Sequence, residues 1–396
     1  MLNKTLNPSN DQIQYHVVGI DGLRGVAALA VMLYHCDGLI PHGYLAVDFF
    51  FGLSGYVLSL TYEKRFQTSL RLLPYLRLRL ERLYPMIILG VLVGLILSPI
   101  NSDAVAAINQ NAHLFWWGLL AQLLVIPLPY PPGVFIFNGP QWSLFFELFV
   151  NFAHAAFFRW LTNAVLLSLI AISAITLILV AFSGQVSNLS VGADQATFFL
   201  GFPRAIYGFA TGVILFRLQA IWSIYIPRIN FVLISTFLLM ILSIPGKDIS
   251  NKYALPIDAF LMLVVIPLFV MLSIQSKPMA WMAKPLGHIS YPLYAIHYPF
   301  VVSILIFLEH MHEGVGNYKL EFLKFVGSII LFALTFFFAC WIEGRLIRFR
   351  RRSRIKQLNR KIEPITSRQH ITAGYRVQSD YLLAPAPTTP PEKSCS

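Results

Sequence analysis

The sequence predicts an all-α polytopic membrane helix bundle of about ten transmembrane helices, with the N- and C-termini cytoplasmic. Of its 396 residues, 57% are apolar and only 12% charged, and the mean hydropathy is +0.65, far from the composition of a soluble domain. Apolar runs recur along the chain, near the ~20 residues that a helix needs to cross a ~30 Å hydrocarbon core. They do not alternate as the strands of a membrane barrel do. The net charge of +12 is also localised: six cations (Lys64, Arg65, Arg71, Arg77, Arg79, Arg82) and eleven more between Arg345 and Arg376 make up 17 of the 30 Lys and Arg. Basic clusters beside apolar runs orient membrane helices. The surplus therefore reads as topology, with the lipid bilayer as partner and no nucleic acid.

Apolar runs broken by charge, Gly or Pro fall at 20–36, 44–61, 84–100, 113–128, 141–160, 164–182, 197–216, 230–245, 256–274, 290–308 and 322–343. If all of them crossed, the basic loop 62–83 and the basic tail would face opposite sides, against the positive-inside rule. Segment 113–128 is the one predicted not to cross, as an interfacial or re-entrant piece. It is short, contains His113 and Gln122, and runs into Pro127, Pro129, Pro131 and Pro132. The termini and the loops 62–83, 217–229 and 275–289 are then cytoplasmic. The outer loops 183–196 and 309–321 are poor in cations, whereas 246–255, with Lys247 and Lys252, fits this side less well.

The expected organisation is a cytoplasmic N-terminal segment 1–18, a membrane domain 19–345, and a basic then Pro-rich tail 346–396 too polar to fold by itself. No cleavable signal peptide is visible, so the first helix is expected to act as the insertion signal. Cys36, Cys340 and Cys395 lack the spacing of a disulfide framework or zinc site. No internal repeat stands out, which weighs against the repeat architecture of many secondary transporters.

Ionisable residues inside spanning helices are costly and mark candidate sites. The first helix carries Asp21, Arg24 and His35, and the second carries Asp48. At ~100° and 1.5 Å per residue, the step from Arg24 to His35 brings both to one face, about 16 Å apart. A cation at one depth and an imidazole base at another suit a long donor with an anionic head. The same residues also fit a bland reading, in which Arg24 snorkels to the interface beside Asp21 and His35 bonds a backbone carbonyl.

Five blocks, in order, resemble the membrane acyltransferase-3 family. They are Gly19-Ile-Asp-Gly-Leu-Arg-Gly25 with Leu33-Tyr-His35; Gly43-Tyr-Leu-Ala-Val-Asp-Phe-Phe-Phe-Gly-Leu-Ser-Gly-Tyr56; Arg82-Leu-Tyr-Pro85; Gln141-Trp-Ser-Leu-Phe-Phe-Glu147; and Ser290-Tyr-Pro-Leu-Tyr-Ala-Ile-His-Tyr-Pro299. The resemblance covers about 19–345. It implies a ten-helix enzyme that moves acyl groups, usually acetyl, from a CoA-type donor to sugar hydroxyls. Its Arg-x10-His pattern maps onto Arg24 and His35, and its Trp-Ser-Leu-x-x-Glu block onto Trp142, Ser143, Leu144 and Glu147. After Glu147 this chain continues Leu148-Phe149-Val150, where many members are partly polar. No appended hydrolase-like domain is expected.

With the resemblance, His35 is the expected general base. Glu147 is expected to orient it or share the proton transfer, and Asp48 is the competing partner. Arg24, Arg82, Arg77 and Arg204 are the expected donor-binding residues, with Arg79 beside them. Positive-inside topology accounts for the 64–82 charges equally well. Arg204, within a spanning segment, should face the interior near a carboxylate or the donor. Asp21, Trp142, Ser143 and His297 are further candidates, and His297 also fits a satisfied core histidine. Ser54 lies in Gly52-Leu-Ser-Gly55, which reads as a tight helix contact, not a nucleophile elbow. Cys36 points ~100° away from His35. His310 and His312, between Glu309 and Glu313, have no support from the resemblance as a metal site, and no metal is expected.

The implied activity is O-acylation of a saccharide or glycolipid hydroxyl with acyl-CoA, acetyl-CoA foremost, as substrate and no bound cofactor. The expected location is the cell membrane, the inner one in a Gram-negative source. The sequence sets no oligomeric state. A transporter or flippase of an acylated or anionic solute is the rival, since intramembrane charges also build translocation paths; an acyl-CoA sensor that binds without turnover is a third reading.

Overall fold

A computed structural model of the chain describes residues 8–310 apart from 37, 69, 99–111, 129–133 and 246–250, together with helical positions between 326 and 345. The expected tail 346–396, Tyr130, Lys247 and His312 lie outside the described residues, and segment 322–343 is described only at separate positions. The chain forms two compact units, Met1–Cys340 and Trp341–Ser396. In the second, the Arg345 guanidinium lies 4.9 Å from the centre of the Trp341 ring.

Among the described residues the first unit is built of helices joined by turns and loops, with no strand beyond one isolated bridge between Asn230 and Lys277. Its helices are α1 (Pro8–His35), α2 (Ala46–Thr68), α3 (Leu72–Leu97), α4 (Ala112–Leu123), α5 (Gln141–Phe157), α6 (Asn163–Phe182), α7 (Gly201–Arg217), the single turn α8 (Gln219–Trp222), α9 (Phe231–Leu242), α10 (Asn251–Phe260), α11 (Ile266–Ile274) and α12 (Ala280–His310). Polar caps start some of them where expected. The Thr162 side chain accepts from the Val165 amide at 3.3 Å, and Asn230 from Val232 at 2.8 Å.

Among the described residues, six helices are long and apolar enough to cross a membrane: Val18–His35, Gly43–Thr68, Leu72–Leu97, Asn163–Phe182, Phe198–Arg217 and Leu255–Ile274. The other expected spans differ for local reasons. Helix α9 has 12 residues and α5 has 17, and α12 runs 31 residues through Pro285, Pro292 and Pro299. Segment 113–128 becomes α4, whose 12 residues reach about 18 Å, too short to span. Its end meets the head of α5 inside the bundle. Gln122 donates to Gln141 Oε1 at 3.2 Å and accepts from the Phe137 amide at 2.7 Å, and both glutamines are buried. The α4 terminus is also tied to α3, because the Tyr84 hydroxyl donates to the Leu123 carbonyl at 2.7 Å.

Two close helix pairs position the site. Helices α1 and α12 run parallel and in step: Gly19 meets Ser273 and Ser276 just before α12, Gly22 meets Ala283, Gly25 the Leu286 backbone, and Gly287 the Asp21 backbone. A Cβ at Gly25 would overlap the Leu286 backbone and one at Gly287 the Asp21 Cβ, so the approach depends on glycine. Helices α2 and α7 pack equally tightly, with Gly55 against the Phe209 carbonyl and Gly212 against that of Gly52. The Gly52-Leu-Ser-Gly55 segment is therefore a tight helix contact, as the sequence indicates. Between α10 and α11 the turn Leu261–Val265 is a π-helix, and the Tyr207 hydroxyl donates to the Leu263 carbonyl at 2.6 Å.

Candidate active site

One elongated cleft lies between α1, α2, α3, α5 and α12. It encloses about 770 Å³ of empty space, part of it open to solvent. Its floor is one face of α2, on which Val47, Phe50, Phe51, Ser54, Val57 and Leu58 recur at helical spacing. The eleven-residue step from Val47 to Leu58 makes that floor about 16 Å long. Arg24 from α1 and Arg79 and Arg82 from α3 bring three guanidinium groups to it. Ser143, Leu144 and Glu147 from α5, and Ser290, Tyr291 and Tyr294 from α12, complete the wall.

Among the described residues, Glu147 is the one acidic side chain lining this cleft. It accepts from Arg79 Nη2 at 3.3 Å and from the Ser54 hydroxyl at 3.1 Å. It is therefore coupled to the cleft cations, not placed against His35 as its expected role would require. Arg24 lies 3.6 Å from Asp21, a loose pair with both side chains partly exposed. Near Val47 and Phe50 the cleft meets a hydroxyl pair. Ser143 donates to the Pro140 carbonyl at 3.0 Å and shares a hydrogen bond with Tyr294.

His35 stands outside this lining. Its ring is surrounded by Tyr34 and Tyr298 at 5.0 Å and His297 at 5.4 Å, centre to centre. Tyr294, which does line the cleft, has its ring 5.8 Å from that of His297. The path from cleft to His35 thus runs through Tyr294 and His297, one helical turn apart on α12. Arg24 lines the cleft, whereas His35, eleven residues further along α1, packs against His297 and Tyr298 of α12.

Asp48 and Arg204 engage one another. Arg204 Nε and Nη2 donate to the two Asp48 carboxylate oxygens, each at 2.8 Å. The same guanidinium donates to the Val191 and Tyr44 carbonyls at 2.9 Å, and its centre lies 5.2 Å from the Trp142 ring. Arg204 is fully buried and Asp48 nearly so. Arg204 therefore does find a carboxylate, but neither residue faces the cleft or His35, where donor binding and catalysis were expected. Arg77 likewise points away from the cleft. Its side chain is 82% exposed and pairs with Glu81 along the same helix at 2.7 Å.

Sequence reasoning missed a second buried cluster, at the His35 end of the bundle. Asp258 on α10 accepts from His42 Nδ1 and from the Leu189 amide, each at 2.9 Å, and from the Tyr44 hydroxyl. His42 and Asp258 are 216 positions apart, and no local pattern connects them. Ser54 was read only as a packing residue, yet its hydroxyl reaches Glu147. Tyr294 carried a usable signal, since it stands one turn before His297 in a recognised block.

Comparison with known proteins places the chain in a family. The family model described as an acyltransferase domain, acyltransferase family 3, matches residues 17–344. Protein 2 in the picA locus of Rhizobium radiobacter is 32% identical over 184 residues, covering 41% of this chain and 93% of that protein. The O-acetyltransferase OatA of Staphylococcus aureus (strain NCTC 8325 / PS 47) is 29% identical over 201 residues, covering 45% of this chain but only 32% of OatA. No solved structure matches. A family match over most of the chain, on an all-helical bundle with several membrane-length apolar helices, leads to one conclusion: this chain belongs to acyltransferase family 3 and is a membrane acyltransferase.

Proposed function

We propose that this enzyme moves an acyl group, acetyl foremost, from cytoplasmic acyl-CoA to a hydroxyl of a saccharide or glycoconjugate presented at the outer face of the cell membrane. The observation that carries this reading is the cleft itself: three guanidinium groups beside a ~16 Å groove that ends at the Ser143–Tyr294 hydroxyls. Guanidinium groups bind phosphate oxygens through charge-assisted, often bidentate hydrogen bonds, so Arg24, Arg79 and Arg82 would hold the anionic head of the donor. Glu147 acts on that side, fixing Arg79. The apolar face of α2 receives the donor's arm, with the thioester towards Tyr294. The OatA relative is named an O-acetyltransferase, which supports acetyl. Both termini cytoplasmic and ten crossings complete the topology, with α4 as the interfacial or re-entrant piece that does not cross.

The acceptor hydroxyl approaches from the His35 end. His35 takes its proton as the oxygen attacks the thioester carbon. The new O–C bond forms, the C–S bond breaks, and the proton returns to the thiolate sulfur, so acyl-CoA and an alcohol become an ester and free CoA. Asp48 and Arg204 hold α2 against α7 and take no part in proton transfer. Family membership sets this reading above solute transport.

The test is transfer of label from radiolabelled acetyl-CoA in inverted membrane vesicles, wild type against His35→Ala. Label entering a saccharide or glycolipid fraction only with His35 present is the expected result, and fractionation names the acceptor class. Label transfer that survives the substitution removes His35 as base. No transfer from any acyl-CoA offered, with native acceptors present, overturns the choice of donor.

A further inference from the structure

His297 is fully buried on α12, and its two ring nitrogens differ sharply. Nδ1 lies 2.9 Å from the Tyr294 carbonyl and 3.1 Å from that of Leu293. Carbonyl oxygens only accept, so Nδ1 carries the proton and Nε2 of the neutral ring is left as an acceptor. That Nε2 has no hydrogen-bond partner among the described residues. The His35 ring stands 5.4 Å away, centre to centre, at an interplanar angle of 37°, close enough for one rotamer adjustment or one bridging water to join the two imidazoles. The parallel seating of α1 on α12 fixes this neighbourhood through the backbone contacts at Gly25 and Gly287.

His154 provides an internal control. Both of its nitrogens are also buried and unpartnered, but its ring sits among Phe66, Phe158 and Phe209, with no second imidazole and no tautomer fixed by a carbonyl. An unpartnered buried nitrogen alone is therefore not distinctive. The combination at His297 is: one nitrogen locked as donor, the other free, and a candidate base alongside.

We propose that His297 is the positioning residue for His35, its Nε2 accepting the N–H of the His35 ring so that the opposite His35 nitrogen is held unprotonated towards the acceptor hydroxyl. This rests on the reading of His35 as general base, and it gives a neutral imidazole the orienting place that a carboxylate fills in many hydrolytic sites. When His35 takes the acceptor proton, the charge on its ring is shared across the hydrogen bond to His297. The proton itself leaves from the nitrogen that took it, to the CoA thiolate.

Two substitutions separate this from a structural role. In His297→Asn the short amide can still donate to the Leu293 and Tyr294 carbonyls but presents nothing at the Nε2 position. In His297→Gln the longer amide places an acceptor oxygen near the Nε2 position and gives up the anchoring bond. CoA release from acetyl-CoA is followed with the full-length protein in nanodiscs, supplied with native acceptor lipids. The expected result is a fall in kcat of about a hundredfold for Asn and within about tenfold for Gln, with the KM for acetyl-CoA changed less than about threefold in both. Asn near wild type, or Gln falling as far as Asn, overturns the proposal. Absence of CoA release from the wild type itself would instead sink the donor assignment.

Discussion

Arg204 and the cleft arginines occupy the same bundle under opposite conditions. Arg204 is sealed from solvent, with donors on both Asp48 oxygens and two backbone carbonyls, and a Trp142 ring alongside. Arg82 has no hydrogen-bond or ion-pair partner among the described residues, Arg24 has only a loose 3.6 Å contact, and Arg79 shares one carboxylate with Ser54. A cation whose donors are spent on protein stabilises a helix contact, whereas one with donors left over beside open space can meet an anion. Charge in a membrane segment marks a site only after its partners are counted.

The comparison breaks most visibly at the sealed pair. Arg204→Met leaves Asp48 buried and uncompensated, with an expected loss of about 3–5 kcal/mol, read as a collapse in folded yield and thermal midpoint in detergent. The double change Arg204→Met with Asp48→Leu should recover most of that stability, because it removes both charges. A double variant no better than the single one would mean that Arg204 does more than neutralise Asp48.

At the open end the effect should fall on binding. On the proposed reading Arg82→Ala removes a charge-assisted phosphate contact, so the KM for acetyl-CoA should rise about tenfold or more while the thermal midpoint holds; Arg79→Ala should raise KM likewise but also lower the midpoint, because it leaves Glu147 without its ion pair. Raised salt should weaken wild-type donor binding more than that of either variant, since the attraction is screened over about 10 Å at 0.1 M. Arg77→Ala is the smallest of the set. Its surface pair with Glu81 is fully accessible, and KM should change less than about twofold. A large effect there would place the donor across the outer surface of α3 as well as in the cleft.

The contrast also shows what the sequence could reveal. Helical periodicity set Arg24 and His35 on one face of α1, where Arg24 lines the cleft and His35 packs on His297 and Tyr298. The proline run after Gln122, with a shortened apolar stretch, marked a segment whose helix, α4, has only 12 residues. Both are local signals, carried by residues within a few turns of each other. The pairings that sort the charges are not local: Asp48 and Arg204 are 156 positions apart, and Ser54 and Glu147 are 93. They depend on which helix faces which, and that is decided by glycine contacts such as Gly55 on Phe209, which look alike in sequence whichever partner they meet. His35 was paired in expectation with carboxylates because carboxylates commonly orient histidines. The bundle spends both on arginines and leaves His35 among rings.

Helices α1 and α12 lie in step with backbone seated against backbone at Gly25 and Gly287, so they cannot slip by a fraction of a turn without collision. The separation between Arg24 at one depth and the His35–His297 rings at another is therefore a ruler made of main chain, indifferent to side-chain rotamers. On the proposed reading it would measure the span from a donor's anionic head to its reactive carbon and nothing beyond that carbon. Selection among acyl groups of different length would then fall to the rings around His35, and exchanging Tyr34 or Tyr298 should alter which group is accepted while the gauge stays as it was.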